Sequence, residues 1–208
     1  FYLAYNQKNP NYTNQKYLEA MRWAVDYQGM ADTFLKGNMV VHQAYLPNGY
    51  LGALSDTPYK LDVEKAKGLL AESGIADPTI VMSVRNAADR LDMAQSIQNT
   101  FGQVGITVEL NIGEGAEQLK RYRARQHDMT LQSWGPDYPD PQTNAGSFAW
   151  NPDNTDEAKV GTLAWRNAWD IPEMTAKVGG VCLISATEAH PPIARARTNT
   201  LHFIQNLR

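Results

Sequence analysis

Between Trp134 and Pro141 the chain reads Trp-Gly-Pro-Asp-Tyr-Pro-Asp-Pro, which sets the carboxylates of Asp137 and Asp140 beside the rings of Trp134 and Tyr138. Pro136, Pro139 and Pro141 each fix a φ angle and remove a backbone donor, so the stretch is stiff before anything binds. A carboxylate held beside aromatic walls suits an ammonium group. The carboxylate supplies a charge-assisted hydrogen bond, while the rings add cation–π attraction and exclude water. The same residues also describe a rigid turn in which Asp140 is a local cap. A third chemistry is a carboxylate pair: glycosidases need two carboxyl groups about 5 to 9.5 Å apart, and two residues this close in a proline-bound loop could meet that distance. A hydrolase using Asp137 and Asp140 is therefore the alternative function, although no other acid, base or nucleophile constellation accompanies them.

Other reactive side chains give little. His42, His127, His190 and His202 show no metal-ligand spacing, and Cys182, the one cysteine, excludes an internal disulfide and a multi-cysteine metal site. No cofactor or metal is expected. Gly113-x-Gly115 lacks the further Gly, or the Lys-Ser/Thr pair, that a phosphate loop requires. A net charge of -3 argues against nucleic acid as the main partner. Lys120, Arg121, Arg123 and Arg125 read as a solvated helix face. Trp150, Trp165 and Trp169 read as packing residues.

The elements that must position the acidic loop follow from periodicity. Phe1 to Asn6 reads as a strand and Asn14 to about Lys36 as a helix, with Tyr17, Leu18, Met21, Ala24 and Val25 on one stripe and Gly37 just beyond. Residues 38–60 are rich in turn signals and read as an extended excursion across a surface. Asp62 caps a helix that Gly74 ends. Thr79 to Arg85 is a strand, Leu91 to Val104 repeats at helical spacing, Gly105 caps, and Ile106, Val108, Leu110 and Ile112 alternate. That is a βαβ unit with parallel strands. A helix over about Glu117 to Gln126 and a strand over Asp128 to Trp134 follow, and a last helix is expected from about Asp153 to Trp169. The fold class is α/β, and the acidic loop stands at the carboxyl end of a strand, where ligands of open α/β sheets tend to bind.

Several segments in order resemble the C-terminal half of the peptide-type extracellular solute-binding proteins. Phe1 to Asn6 with Lys16 to Asp26 is similar to the family's strand and its "R-x-A-L-x-x-A-I-D" helix. Tyr59 to Gly74 is similar to "Y-x-x-D-x-x-K-A-K-x-L-L-A-E-A-G", and Ala94 to Leu110 to "A-x-x-I-Q-x-x-L-x-x-I-G-I-x-V-x-L". Tyr122 to Pro141 resembles the stretch ending "Y-D-x-x-L-x-x-W-x-x-D-Y-x-D-P". The resemblance spans roughly residues 1–177 and implies part of the C-terminal ligand-binding lobe of a periplasmic-binding-protein-like, two-lobed receptor of type II, with a mixed sheet flanked by helices. It implies a monomer that resides in the periplasm or at the cell surface, closes on a peptide or related amine-bearing solute, and delivers it to the membrane permease of an ATP-driven importer. In that family the Asp of "W-x-x-D" pairs with the ligand's α-amino group. By motif position that residue is Asp137, and the ligand-contacting Trp is Trp134.

The sequence departs from the family in two places. The loop Ile112-Gly113-Glu114-Gly115 lacks the aromatic that members often carry there. Residues 178–208 do not match the expected ending: Gly179 to Ile184 leads into Glu188-Ala189-His190-Pro191-Pro192, and no acidic residue follows Glu188. An altered reading frame or plain divergence would account for this tail, and the former predicts poor packing over Gly179 to Arg208. With no initiator Met, no charged n-region and no signal-type apolar stretch, the chain reads as a piece of a longer protein.

Overall fold

The computed structural model describes residues 1–181, 200–202 and 204–206, with 179–181 and the last two stretches described by backbone alone. Strand β1 (Tyr2–Tyr5) is buried on both faces, and its alternation divides the interior. Leu3 and Tyr5 enter the larger core, whereas Tyr2 and Ala4 enter a smaller aromatic one.

The helix expected from Asn14 to Lys36 is interrupted. Asn14 caps α1 (Gln15–Trp23) by accepting hydrogen bonds from the N–H groups of Lys16 and Tyr17 at 3.0 and 3.2 Å. Three residues after Trp23, the Asp26 side chain accepts from the Gly29 N–H at 2.9 Å and starts α2 (Tyr27–Asp32). A cap inside a helical repeat breaks it, because the capping residue cannot itself be helical. Gly37 does take a left-handed φ of 80°, but the helix has already ended at Asp32. The excursion that follows contains a strand absent from the sequence reading, β2 (Met39–Val41).

The middle of the chain folds as the periodicity predicts. Asp62 caps α3 (Val63–Ser73) through the Lys65 N–H, and Gly74 ends it at φ 69°. β3 (Ile80–Arg85), α4 (Ala88–Val104) and β4 (Val108–Gly113) form the βαβ unit, with β3 and β4 parallel from Ile80↔Val108 to Arg85↔Gly113. Helix α4 buries Met93, Ala94, Ile97, Phe101 and Val104, and Gly105 caps it at φ 101°. Helices α1, α3 and α4 cover the larger core, which holds Leu3, Tyr17, Met21, Ile80, Met82, Phe101 and Leu131.

Helix α5 (Gly115–Arg123) stops short of the expected Gln126, since Arg125 adopts a left-handed φ of 58°. Arg125 thereby leaves the basic helix face. It is 5% exposed, and its guanidinium meets Asp156 at 2.8 Å and lies 4.7 Å from the Trp165 ring. Strand β5 (Met129–Gln132) pairs parallel with β3 and antiparallel with β1, and β6 (Thr200–His202) adds antiparallel to the other side of β1. The sheet order is β4-β3-β5-β1-β6, a mixed sheet flanked by helices, and β2 forms a separate antiparallel pair with β7 (Ile204–Asn206).

The expected helix from Asp153 to Trp169 is largely replaced by turns. The Asp153 carboxylate accepts from the Thr155 N–H and hydroxyl, Lys159 and Gly161 have positive φ, and only α7 (Leu163–Arg166) is helical. Two helices were not foreseen, α6 (Pro141–Phe148) and α8 (Pro172–Val181). Trp165 and Trp169 are buried, as expected of packing residues. The expectation of poor packing over Gly179 to Arg208 falls mostly outside the described residues.

Candidate functional site

Strands β3, β4 and β5 run parallel in the sheet, so their carboxyl ends gather on one edge of the fold. Gln132 closes β5 opposite Tyr2, and the chain leaves the sheet at Ser133. Arg90, near the start of α4, reaches across this edge. Its guanidinium donates to Ser133 Oγ at 3.0 Å and lies 4.3 Å from the Phe1 ring. Burial lowers the Arg90 pKa, and the Asp89 carboxylate at 3.8 Å works against that effect.

Beyond Ser133, Trp134 turns back toward the protein. Its ring meets Phe148 edge-on at 5.3 Å, and Tyr2 and Tyr45 also meet Phe148 edge-on, at 5.3 and 6.4 Å. Edge-to-face contact places the positive ring edge against a negative face, so one phenylalanine organises three aromatic neighbours. Burial drives the phenols of Tyr2 and Tyr45 well above their ordinary pKa, so both remain neutral. Beside this group lies a cavity of about 70 Å³ whose walls include His42, Tyr45, Trp134, Pro136, Asn144 and Phe148.

The four side chains singled out in the loop separate into distinct positions. Trp134 is half-buried in the cavity wall. Asp137 is exposed, immediately after the wall residue Pro136, and its carboxylate has no hydrogen-bond or ion-pair partner among the described residues. Tyr138 is 59% exposed. Asp140 is also exposed, but its carboxylate accepts from the Gln142 N–H at 2.7 Å and caps α6, with Pro141 in the first helical turn. The local-cap reading thus holds for Asp140. Use of Asp140 as half of an acid–base pair would take its carboxylate from the N-terminus of the helix that carries Phe148.

Several residues at this edge escaped the sequence reading. In the excursion, His42, Ala44 and Leu46 are buried while Gln43, Tyr45 and Pro47 are less so, an alternation hidden among turn signals. Gln43 fixes the segment by exchanging two 2.8 Å hydrogen bonds with the backbone of Tyr59. His42 Nε2 donates to the Leu46 carbonyl at 2.7 Å. The pair Asp140-Pro141, an N-cap followed by proline at the first helical position, was the available signal for α6 and hence for Asn144 and Phe148. Among the described residues no group of three or more His, Cys, Asp or Glu is placed to hold a metal ion, and no helix is long and apolar enough to cross a membrane.

A family model described as bacterial extracellular solute-binding proteins, family 5 middle, matches residues 1–156. The di/tripeptide-binding protein 1 of Pseudomonas aeruginosa (strain UCBPP-PA14) is 29% identical over 157 residues, covering 71% of this chain and 29% of that protein. The chain therefore spans less than a third of that relative's length. Among solved structures, a dipeptide-binding protein from Pseudoalteromonas sp. SM9913 in complex with Met-Leu superposes with a TM-score of 0.74 at 21% identity, covering 86% of this chain and 35% of that one. The periplasmic binding protein DppA from Helicobacter pylori, in complex with the peptide STSA, gives 0.76 at 20% identity, covering 89% and 36%. These structural likenesses establish the fold, that of a type II periplasmic-binding-protein lobe.

Proposed function

The chain belongs to the family 5 bacterial extracellular solute-binding proteins, and from that membership we propose that it is part of the ligand-gripping lobe of a peptide receptor serving an ABC importer. The observation that supports this most directly is the position of Asp137. It is a carboxylate with no hydrogen-bond or ion-pair partner among the described residues, on a proline-stiffened turn at the carboxyl edge of the sheet, next to an aromatic-walled cavity. A free carboxylate at such a place attracts a cation, and the α-ammonium of a peptide is the cation that also brings a side chain to the neighbouring cavity. Arg90, held on the same edge by Ser133, offers the opposite charge for a carboxylate.

In this reading a second lobe closes over the edge, and the ligand shifts the open–closed population by binding the closed state more tightly. The receptor is exported to the periplasm or cell surface, acts as a monomer, hands its peptide to a membrane permease, and turns nothing over. Water exclusion on closure strengthens the Asp137–ammonium contact, which is weak while the carboxylate is open to solvent.

Calorimetric titration of the full-length receptor with di- and tripeptides and their N-acetylated forms tests the reading. Free-amine peptides should bind, and acetylation or Asp137→Asn should weaken binding by at least ~30-fold, the order expected when one member of a desolvated charge pair is removed. Equal affinity for acetylated and free peptides would remove Asp137 from the site. Mass spectrometry of peptides and oligosaccharides after incubation should show no turnover, and cleavage of either would restore the carboxylate-pair hydrolase.

A further inference from the structure

We propose that residues 47–54 form a latch between lobes: the arm that carries Leu51 seats its apolar tip in a pocket of the receptor's facing lobe when that lobe closes over the carboxyl edge of the sheet. This rests on the peptide-receptor reading above and assigns a contact separate from the grip on the ligand.

The arm is built rather than loose. Its base is clamped where Gln43 exchanges two 2.8 Å hydrogen bonds with the Tyr59 backbone, and His42 holds the Leu46 carbonyl at 2.7 Å. Two turns then follow in tandem. The Tyr50 N–H donates to the Pro47 carbonyl at 3.2 Å, and the Ala53 N–H donates to the Tyr50 carbonyl at 3.0 Å. Gly49 and Gly52, each third in its turn, take left-handed φ angles of 86° and 77°, as a glycine there readily does. This geometry sets Leu51 at the corner of the second turn, 77% exposed, with Leu54 48% exposed just beyond it.

A lone exposed leucine is ordinary on a protein surface. These are not scattered. Of the six large hydrophobic side chains exposed among the described residues, Leu51, Leu54, Ile112 and Tyr138 belong to the segments that rim one edge of the sheet. Ile112 stands at the carboxyl end of β4, and Tyr138 lies in the turn after β5. Pro47, at the root of the arm, lines the same cavity as Pro136. Apolar surface gathered on one edge fits a partner that arrives there. The facing lobe is that partner, rather than the permease or a second copy, because the arm springs from the wall of the ligand cavity, which a closing lobe covers first. The matched stretch is only 29% of the Pseudomonas relative's length, which leaves that relative ample chain for such a lobe. Burying one leucine side chain shifts an equilibrium by about 10- to 100-fold. The tip is therefore able to set how readily the receptor closes, and with it the apparent ligand affinity.

Alkylation of the full-length receptor by iodoacetamide tests the latch, with Ala-Ala and Ala-Ala-Ala as probes whose binding is checked by calorimetry. Leu51→Cys is the target, and Glu64→Cys is the reference, since the Glu64 side chain is 85% exposed on α3. Peptide mapping by mass spectrometry reads each position apart from Cys182. The thiol at position 51 should react as fast as that at position 64 without peptide, and about tenfold more slowly with peptide bound. Leu51→Ser should weaken both peptides about tenfold without moving the unfolding temperature of the empty receptor, and Leu51→Met should restore binding. Peptide binding with no change of reactivity at position 51 would overturn the latch and leave the peptide reading standing. Shielding already complete without peptide would mark a fixed contact, and shielding that rises with receptor concentration would mark a second copy; either would overturn the latch alone. Failure of both peptides to bind would overturn the peptide reading and the latch with it.

Discussion

Asp140 accepts a hydrogen bond from the backbone N–H of Gln142 at 2.7 Å and so starts the helix that carries Phe148, the ring against which Trp134 rests. Three residues earlier, Asp137 has no such employment among the described residues. Two aspartates that look alike in the sequence therefore do different work: one builds the wall and the other faces outward from it.

The two substitutions should separate accordingly. Asp140→Ala removes an N-cap and should lower unfolding stability by about 1 kcal/mol, while Asp140→Asn, which caps as well, should cost little. Asp137→Asn should leave stability unchanged and abolish the thermal shift given by free-amine peptides. Thermal unfolding of the full-length receptor with and without peptide reads both. A loss of stability from Asp137→Asn equal to that from Asp140→Ala would contradict the division.

Gly29→Ala should destabilise, although alanine is the better helix former. A Cβ at Gly29 would overlap the carboxylate of Asp26, the side chain that caps α2. Propensity alone favours Ala by up to about 1 kcal/mol, but the clash displaces the capping carboxylate, and a lost N-cap costs about 0.5–2 kcal/mol. In an Asp26→Ala background the clash is gone, and Gly29→Ala should become neutral or stabilising. Such non-additivity is what contact between the two sites requires, and additive values in a urea-unfolding cycle would refute it.

His127 should make the protein acid-sensitive. Its ring is 5% exposed, with Nε2 donating to Asn167 Oδ1 at 3.0 Å and an edge-on contact to Tyr122 at 4.8 Å. Burial lowers its pKa from 6.5 to about 4; the Asn167 bond raises it, and the charges of Arg125, Arg121 and Lys8 lower it further. The unfolded chain thus binds the proton first. The stability contributed by the neutral ring is fully present above pH 6.5 and is lost as the pH falls toward 4, to a total of about 3 kcal/mol. Unfolding midpoints measured between pH 7 and 4 should flatten in His127→Gln, and an unchanged slope would assign the acid sensitivity to other groups.

Arg125 should prove structural. Its side chain is 2% exposed, and it donates to the Asn154 carbonyl and Oδ1 at 2.8 and 2.9 Å while covering Trp165. Arg125→Ala orphans the Asn154 carbonyl, leaves Asn154 Oδ1 with the Asn151 amide as donor, and should cost about 1–3 kcal/mol, whereas Asp156→Asn, at an exposed partner, should change little. Both are read by urea unfolding, and equal effects would mean that the ion pair, rather than the buried donors, holds the turn.

The sequence by itself determined what depends on neighbours along the chain. Asp62 and Gly74 mark the ends of a helix, Gly105 ends another, and strand–helix–strand spacing forces Ile80 to Arg85 and Val108 to Gly113 to lie side by side. The same local logic failed where one side chain overruled a period, as when Asp26 capped a new helix in the middle of an apolar stripe. Only the tertiary structure decided which loop residues form a site. Asp137 and Asp140 share type, spacing and exposure, and they differ because α6 folds back and takes one carboxylate for its N-terminus. Tyr45 and Phe148 are remote in sequence, and they meet beside Trp134 because packing brings the excursion and α6 to the carboxyl edge of one sheet. Contacts of that range carry no periodic mark in the chain, since they arise from the burial of whole elements rather than from the geometry of any one of them.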